Sequence, residues 1–74
     1  ILYAVPEQVS VRIDVYNSLG QQVRTLVKGQ QGPGTYAVKW NGLDQDGHQV
    51  TTGVYLYKMN AGTFSGSGKM ILMQ

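Results

Sequence analysis

The sequence predicts an all-β domain, a small antiparallel β-sandwich of about seven strands. Apolar and polar residues alternate along most of the chain, as at Val9, Val11, Ile13 and Val15. A period of two places alternate side chains on one face of a strand. No segment has the 3.6-residue apolar period of an amphipathic helix, and ten glycines interrupt the chain. Short strands with turn signals at regular spacing favour a sandwich, with a small barrel as the second possibility.

The turns between the predicted strands are marked by asparagine, proline and glycine. Asn17 and Gly20 predict a hairpin, because asparagine starts turns through its own side chain and glycine accepts a positive φ. Pro33, which has no N–H and lies between two glycines, predicts a loop over residues 30–34. Gly53 introduces an aromatic strand, and Gly62 turns the chain into the last one. The expected strands are 1–5, 9–16, 21–27, 34–41, 48–50, 53–61 and 64–73.

The length and composition predict one domain, residues 1–74, held together by core packing alone. A chain of 74 residues is marginal for burying a core, so most large side chains are expected inside. Trp40, in phase with Tyr36 and Val38, is expected to anchor that core. The chain has no cysteine that could form a disulfide. The chain opens on residues typical of a strand, and we expect it to be one module of a larger protein.

The charge and the apolar runs argue against nucleic-acid binding and against a membrane span. Six Lys and Arg against four Asp and Glu give a net charge of +2, and the positive residues are scattered without a run. Such a mild excess is typical of ordinary solvation. Apolar runs such as those at 55–57 and 70–73 are far too short to cross a bilayer.

The inventory of reactive residues predicts that the domain is not an enzyme and needs no cofactor or small-molecule substrate. His48 is the single histidine, lies in a polar turn, and is expected on the surface. Without cysteine there is almost no material for a catalytic dyad or a zinc site. Residues 32–37 formally match a G-x-G-x-x-A dinucleotide fingerprint. Pro33 removes one of the N–H groups that would face a phosphate, and a strand follows where a helix is required.

Two binding hypotheses remain open beside a purely structural role. Asn41, Asp44 and Asp46 lie in one polar turn and can offer oxygen ligands to calcium, although no acidic residue follows at the EF-hand spacing. The more common role of such side chains is to accept hydrogen bonds from turn N–H groups. A sugar-stacking face is the other hypothesis, although a domain this small needs most of its aromatic residues in the core. Its candidate residues are Tyr3, Tyr36, Trp40, Tyr55, Tyr57 and Phe64.

An ordered series of residues covers almost the whole chain and resembles a known family. Its segments are Ile1-x-Tyr3; Val9-x-Val11-x-Ile13-x-Val15-Tyr16-Asn17-x-x-Gly20; Gly34-x-Tyr36-x-Val38-x-Trp40-Asn41-Gly42-x-Asp44-x-x-Gly47; Gly53-Val54-Tyr55-x-Tyr57; and Lys69-Met70-Ile71-Leu72. This series resembles the FlgD-like immunoglobulin-like family, and most of all its type A C-terminal sorting domains of type IX secretion substrates. Asn17 and Asn41 stand where the family often has aspartate, and Gln74 stands where the sorting subset tends to end on lysine or arginine.

The resemblance implies an immunoglobulin-like sandwich that acts as a secretion signal. Domains of the sorting subset end larger exported proteins, pass through the periplasm of Gram-negative bacteria, and reach the cell surface or the exterior. The implied partners are outer-membrane secretion proteins, and the isolated domain is expected to be a monomer. The last strand is the expected partner-binding element, with residues Lys69, Met70, Ile71, Leu72 and Met73. The alternative is a structural or binding module, either a hook-cap-like scaffold domain or an accessory domain of a glycan-active extracellular enzyme.

Overall fold

The computed structural model describes residues 1–73 and shows six β-strands without a helix among them. Gln74, at which the sequence departs from the usual basic ending of the sorting subset, lies outside the described residues. The strands are β1 (Leu2–Val5), β2 (Val9–Asn17), β3 (Gln22–Gln31), β4 (Gly34–Ala37), β5 (Gly53–Ala61) and β6 (Phe64–Leu72).

The strands form two antiparallel sheets that face each other across a core. The large sheet has the order β3-β2-β5-β6, and the small sheet consists of β1 and β4. Because the described strands form two separate sheets and no closed ring, the predicted β-sandwich is confirmed and the barrel alternative is wrong. The count is six strands, one fewer than the sequence indicated.

The core is centred on β2, which lies between β3 and β5. Val11, Ile13 and Val15 are at most 1% exposed, because they share the face of β2 that is turned toward the small sheet. Tyr55 and Met59 of β5 are buried beside them. The period-two alternation of the sequence therefore located the central strand correctly.

The small sheet covers this core with aromatic side chains. Tyr3 and Val5 of β1 are buried, and the Tyr3 ring stacks on Tyr36 of β4 with ring centroids 5.5 Å apart. The Tyr36 hydroxyl donates to the carbonyl oxygen of Gly32 at 2.6 Å. This bond holds the turn at Pro33, where the chain crosses from the large sheet to the small one.

The predicted hairpin at Asn17 is confirmed. The Asn17 side-chain oxygen accepts from the backbone N–H groups of Leu19 and Gln21, both at 3.0 Å. Gly20 takes a φ of +82°, a left-handed conformation that glycine adopts without a steric penalty. Asn17 therefore closes the turn between β2 and β3 with its own side chain.

Three predicted strand assignments are wrong. Strand β3 continues to Gln31, through part of the expected loop, because β2 supplies partners as far as Val9. Strand β4 ends at Ala37 instead of residue 41. The expected strand at 48–50 is absent: Gln49 forms only an isolated bridge with Leu43. The N–H groups of Asp44 and Val50 bond to carbonyl oxygens inside the same loop, at 2.8 and 3.0 Å.

Trp40 is half-buried, so the expectation of a fully buried core anchor is wrong. Its ring meets Tyr55 edge-on, with centroids 4.9 Å apart and an interplanar angle of 67°. Its indole Nε1 donates to the carbonyl oxygen of Leu43 at 2.9 Å. The indole therefore joins the loop after β4 to the edge of the core, and a ring whose N–H needs a polar partner suits that position.

Candidate partner-binding surface and acidic turn

Strand β6 is an edge strand of the large sheet and pairs with β5 along its entire length. The register runs from Ala61 opposite Phe64 to Gly53 opposite Leu72. Because successive side chains of a strand point to opposite faces, this register divides the predicted partner-binding residues between the inside and the outside of the sandwich.

Two of the five predicted partner-binding residues are turned inward. Met70 lies opposite the buried Tyr55, and both Met70 and Leu72 are half-buried. Together with Trp40 they line a small hollow at this end of the sandwich. Met70 and Leu72 therefore contribute to the inner packing, although each keeps some exposure.

The other three predicted partner-binding residues are accessible. Lys69 is exposed, Ile71 is 68% exposed and Met73 is 83% exposed. Lys69 and Ile71 lie on the side of the large sheet that is turned away from the small sheet. A partner approaching from that side would meet Lys69 and Ile71, and would not meet Met70 or Leu72.

Gly68, on the inner face of β6, makes room for a tyrosine of β5, whereas Gly66 on the same face does not. A Cβ placed on Gly68 would lie 2.5 Å from the Tyr57 ring, whereas a Cβ on Gly66 would meet Phe64 at an ordinary 3.4 Å. The Tyr57 ring therefore packs closely over Gly68, its partner in the register. Close aromatic cover of a glycine helps to fix strand register.

The outward side of the large sheet contains a buried carboxylate that sequence reasoning did not single out. Asp14 is 4% exposed. Its Oδ2 accepts from Arg12 Nε at 2.8 Å, and its Oδ1 accepts from Thr25 Oγ1 at 2.7 Å and Gln22 Nε2 at 3.1 Å. A buried charge is costly unless it is paired and hydrogen-bonded, and these donors meet that requirement. The only sign of this role in the sequence is weak: an acidic residue occupies an outward position of a central strand.

The polar turn after Trp40 is held by Asx hydrogen bonds. Asn41 Oδ1 accepts from the N–H of Leu43 at 3.2 Å. Asp44 Oδ1 accepts from the N–H groups of Asp46 and His48, at 3.0 and 2.9 Å. The structure thus gives Asn41 and Asp44 the turn-forming role that the sequence suggested as an alternative to calcium binding.

Two of the three calcium candidates lie close to each other and to His48. Possible ligand atoms of Asp44, Asp46 and His48 all lie within 4.8 Å of one another. His48 is exposed, as predicted, and its Nδ1 lies 3.8 Å from Asp44 Oδ2. Because one Asp44 oxygen already accepts two backbone bonds, binding an ion would engage mainly its other oxygen and the exposed Asp46.

Gln45 docks the polar turn onto β3, a role that sequence reasoning missed. Its backbone N–H donates to the carbonyl oxygen of Val23, and its side-chain Oε1 accepts from the N–H of Thr25, both at 3.0 Å. Arg24 Nη1 lies 3.5 Å from the carbonyl oxygen of Asp44. Gln45 therefore provides hydrogen-bond partners for backbone groups on the edge of β3, near the register shift between Ile13 and Asp14. No local sequence pattern predicts this contact.

The aromatic side chains do not form an exposed platform for a sugar. Tyr3 and Tyr55 are buried, and Tyr36, Trp40 and Tyr57 are half-buried, each against another part of the domain. Among the six candidates only Phe64 is exposed, at 58%. Sugar binding by aromatic stacking requires an open ring face, so the structure argues against the sugar-stacking hypothesis.

Comparison with known proteins identifies a family for most of the chain. A family model described as the FlgD Ig-like domain matches residues 2–65. No curated protein and no solved structure gives a significant match. The matched range contains β1 to β5 and stops at the beginning of β6. Within residues 1–73 there is no helix long and apolar enough to cross a membrane.

Proposed function

The chain belongs to the FlgD Ig-like domain family, and from this premise we propose that it is a sorting module of type IX secretion. In this proposal the domain is a non-catalytic immunoglobulin-like module that directs a larger protein through the outer membrane to the cell surface or the exterior. The partners are outer-membrane proteins of the secretion machinery, which would recognise the domain in its folded state.

The single observation that carries the proposal is that β6 is fully paired and still has exposed outward side chains. This strand completes the large sheet by pairing with all of β5, and it still presents Lys69 and Ile71 to the outside. A strand that is both needed for the fold and open to a partner makes recognition depend on correct folding. The residues 69–72 that resemble the sorting subset lie beyond the range that the general family model matches.

The test is an export assay with a fluorescent passenger in a bacterium that has the type IX pathway. Three passengers are compared: one fused to residues 1–74, one fused to the same domain without residues 69–74, and one without the domain. Surface fluorescence is measured in this host and in an isogenic host that lacks the outer-membrane pore. We expect export only with the intact domain and only in the host with the pore. Equal surface fluorescence of the three passengers would contradict the sorting role.

A second candidate function, a structural scaffold module, is favoured by the family match itself. The matched residues 2–65 are those of the FlgD Ig-like domain, a hook-cap family, and they contain nearly all of the buried core. A scaffold module would join an extracellular assembly without carrying a passenger across the membrane. In the export assay this function predicts that the passenger stays in the cell with or without the domain.

A further inference from the structure

We propose that the outer face of the large sheet is a docking surface for a protein partner with an apolar centre and an acidic rim. The outer face is the side of β3-β2-β5-β6 that is turned away from β1 and β4. The inference rests on the proposed sorting function, because the export machinery would supply the partner. It goes beyond that function by extending the contact from one strand to the whole sheet face and by specifying the partner's chemistry.

One end of the outer face is apolar. Val54 lies opposite Ile71 in the register, and Leu56 lies opposite Tyr16. Val54 is 45% exposed, Leu56 42% and Ile71 68%. Three strands thus contribute neighbouring apolar side chains to one continuous patch. Contiguous apolar patches on the surface of a soluble domain often mark interaction sites.

The rest of the outer face is polar and holds most of the basic residues of the chain. It carries four of the six Lys and Arg residues of the chain: Arg12, Lys28, Lys58 and Lys69. Lys69 lies directly opposite Leu56. The Lys58 ammonium lies 5.2 Å from the centre of the Tyr16 ring. Lys58 and Lys69 therefore border the apolar patch, and Arg12 and Lys28 lie farther along the same face.

These charges are largely uncompensated within the domain. The acidic residue on this face is Asp14, which is buried and bound to Arg12. Within residues 1–73, Lys28, Lys58 and Lys69 have no ion pair. Charge complementarity therefore favours a partner that brings carboxylates around an apolar centre.

The same charges argue against two other occupants. A second copy of this face would bring lysines against lysines, which is unfavourable at an interface. A bilayer would have to dehydrate the neighbouring polar part of the face, where Ser65, Ser67 and Asn60 lie beside the Arg12–Asp14 pair. An apolar centre with a polar rim is the usual anatomy of a protein–protein interface.

The dimensions of the face predict a transient contact. Four strands about 4.8 Å apart and about nine residues long span roughly 14 by 30 Å, or on the order of 400 Å². A stable interface of standard size buries about 800 Å² on each partner. The outer face alone would therefore support weak, reversible binding, which suits a signal that must be released after export.

The first test uses the export assay with matched variants. Leu56→Gln combined with Ile71→Gln alters the apolar patch, and Leu2→Gln is the control, because Leu2 is an exposed leucine on the other sheet. We expect the double variant to lower surface fluorescence at least about fivefold while Leu2→Gln exports normally. Melting curves must show that both variants are folded.

If a folded double variant exports normally, the docking surface is wrong and the sorting function stands. If the unaltered domain directs no export, the sorting function fails, and the docking inference fails with it.

The second test measures binding and identifies the class of occupant. Because the chain has no cysteine, Ser18→Cys in the exposed β2–β3 turn accepts a single fluorescent label. The labelled domain is titrated with outer-membrane fragments from the host, with protease-treated fragments, and with vesicles made from their extracted lipids. We expect saturable binding to the untreated fragments only, weakened at least about tenfold by the double variant.

The charge contribution is tested with Lys58→Gln and Lys69→Gln, with Lys39→Gln as the control, because Lys39 lies outside the four strands of the outer face. The first two substitutions are expected to weaken binding at low salt and to flatten its salt dependence, whereas Lys39→Gln should do neither. Equal binding to lipid vesicles would make the occupant a membrane. Self-association abolished by the double variant would make it a second copy. Either result overturns the proposal.

Discussion

Gly68→Ala should destabilise the domain, although its backbone conformation accepts alanine. The new Cβ would lie 2.5 Å from Tyr57 Cε1 and 2.6 Å from its Cζ and Oη. An ordinary contact begins at about 3.4 Å, so the approach is short by about 0.9 Å. The tyrosine ring must therefore leave its position over β6, and inserting a methyl group into such a packed site costs about 1–3 kcal/mol.

The measurement is a thermal melt of the variant beside the matched control Gly66→Ala. In a domain of this size 1 kcal/mol corresponds to about 4–8 °C, so Gly68→Ala should lower Tm by roughly 5–20 °C. Gly66 lies on the same face of the same strand, but its added Cβ would make only ordinary contacts with Phe64. Gly66→Ala should leave Tm unchanged or raise it slightly, because alanine reduces the entropy of the unfolded chain.

The cause is checked by a double-mutant cycle with Tyr57→Ala. In that background the ring is absent, so Gly68→Ala should cost nothing further, and the two effects should be strongly non-additive. If Gly68→Ala melts at the same temperature as Gly66→Ala, the Tyr57 ring does not lie over Gly68. The register of β5 and β6 in that region would then need revision.

Three further predictions concern the polar turn and Trp40. Trp40→Ala should cost about 2–3 kcal/mol, less than a fully buried tryptophan would, because the indole is half-buried; a Tm equal to that of the unchanged domain would show that its contact with Tyr55 contributes nothing. Asp44→Ala should cost about 1–2 kcal/mol by removing the acceptor of two backbone N–H groups, whereas Asp46→Ala, at an exposed position, should be nearly neutral in the same melt. Excess calcium should leave Tm unchanged relative to chelator, because side-chain oxygens of Asn41 and Asp44 already accept backbone bonds; a calcium-dependent rise of several degrees would establish a metal site.

The sequence predicted those parts of the fold that depend on local patterns. The alternation in β2 predicted which face of the strand is buried, because a period of two places Val11, Ile13 and Val15 on the same face. Asn17 and Gly20 gave the first hairpin, because their turn chemistry acts within a few residues. Gly53 and Gly62 marked the ends of β5 for a similar reason, with φ values of +158° and +63°.

The errors lie where distant partners decide the structure. Strand β3 extends to Gln31 because β2 lies alongside it, and residues 48–50 form no strand because their loop bonds internally and to Val23. Trp40 was expected in the core from its size and phase, but its N–H reaches the loop carbonyl of Leu43. None of these partners can be read from neighbouring residues in the sequence.

The candidate site shows the same division between local and long-range information. The exposure of Lys69 and Ile71 and the inward position of Met70 follow from alternation once β6 is known to pair with β5. The composition of the outer face does not follow from alternation alone. The pairing of β2 with β5 and of β5 with β6 is needed to bring Tyr16, Leu56 and Lys69 into one row. Lys58 and Lys28 are thirty residues apart in sequence, and they share that face only through β2.

The two faces of β6 have different roles: the inner face packs against the core, and the outer face is exposed. On the inner face, Gly66 and Gly68 contribute no side chain, and β5 supplies the bulk there through Met59 and Tyr57. Changes at Lys69 or Ile71 on the outer face therefore leave that packing untouched. A strand built in this way can vary its recognition surface while its sheet stays the same. The match over residues 2–65 defines the family, and under our proposal the outward side chains of β6 would add the sorting function.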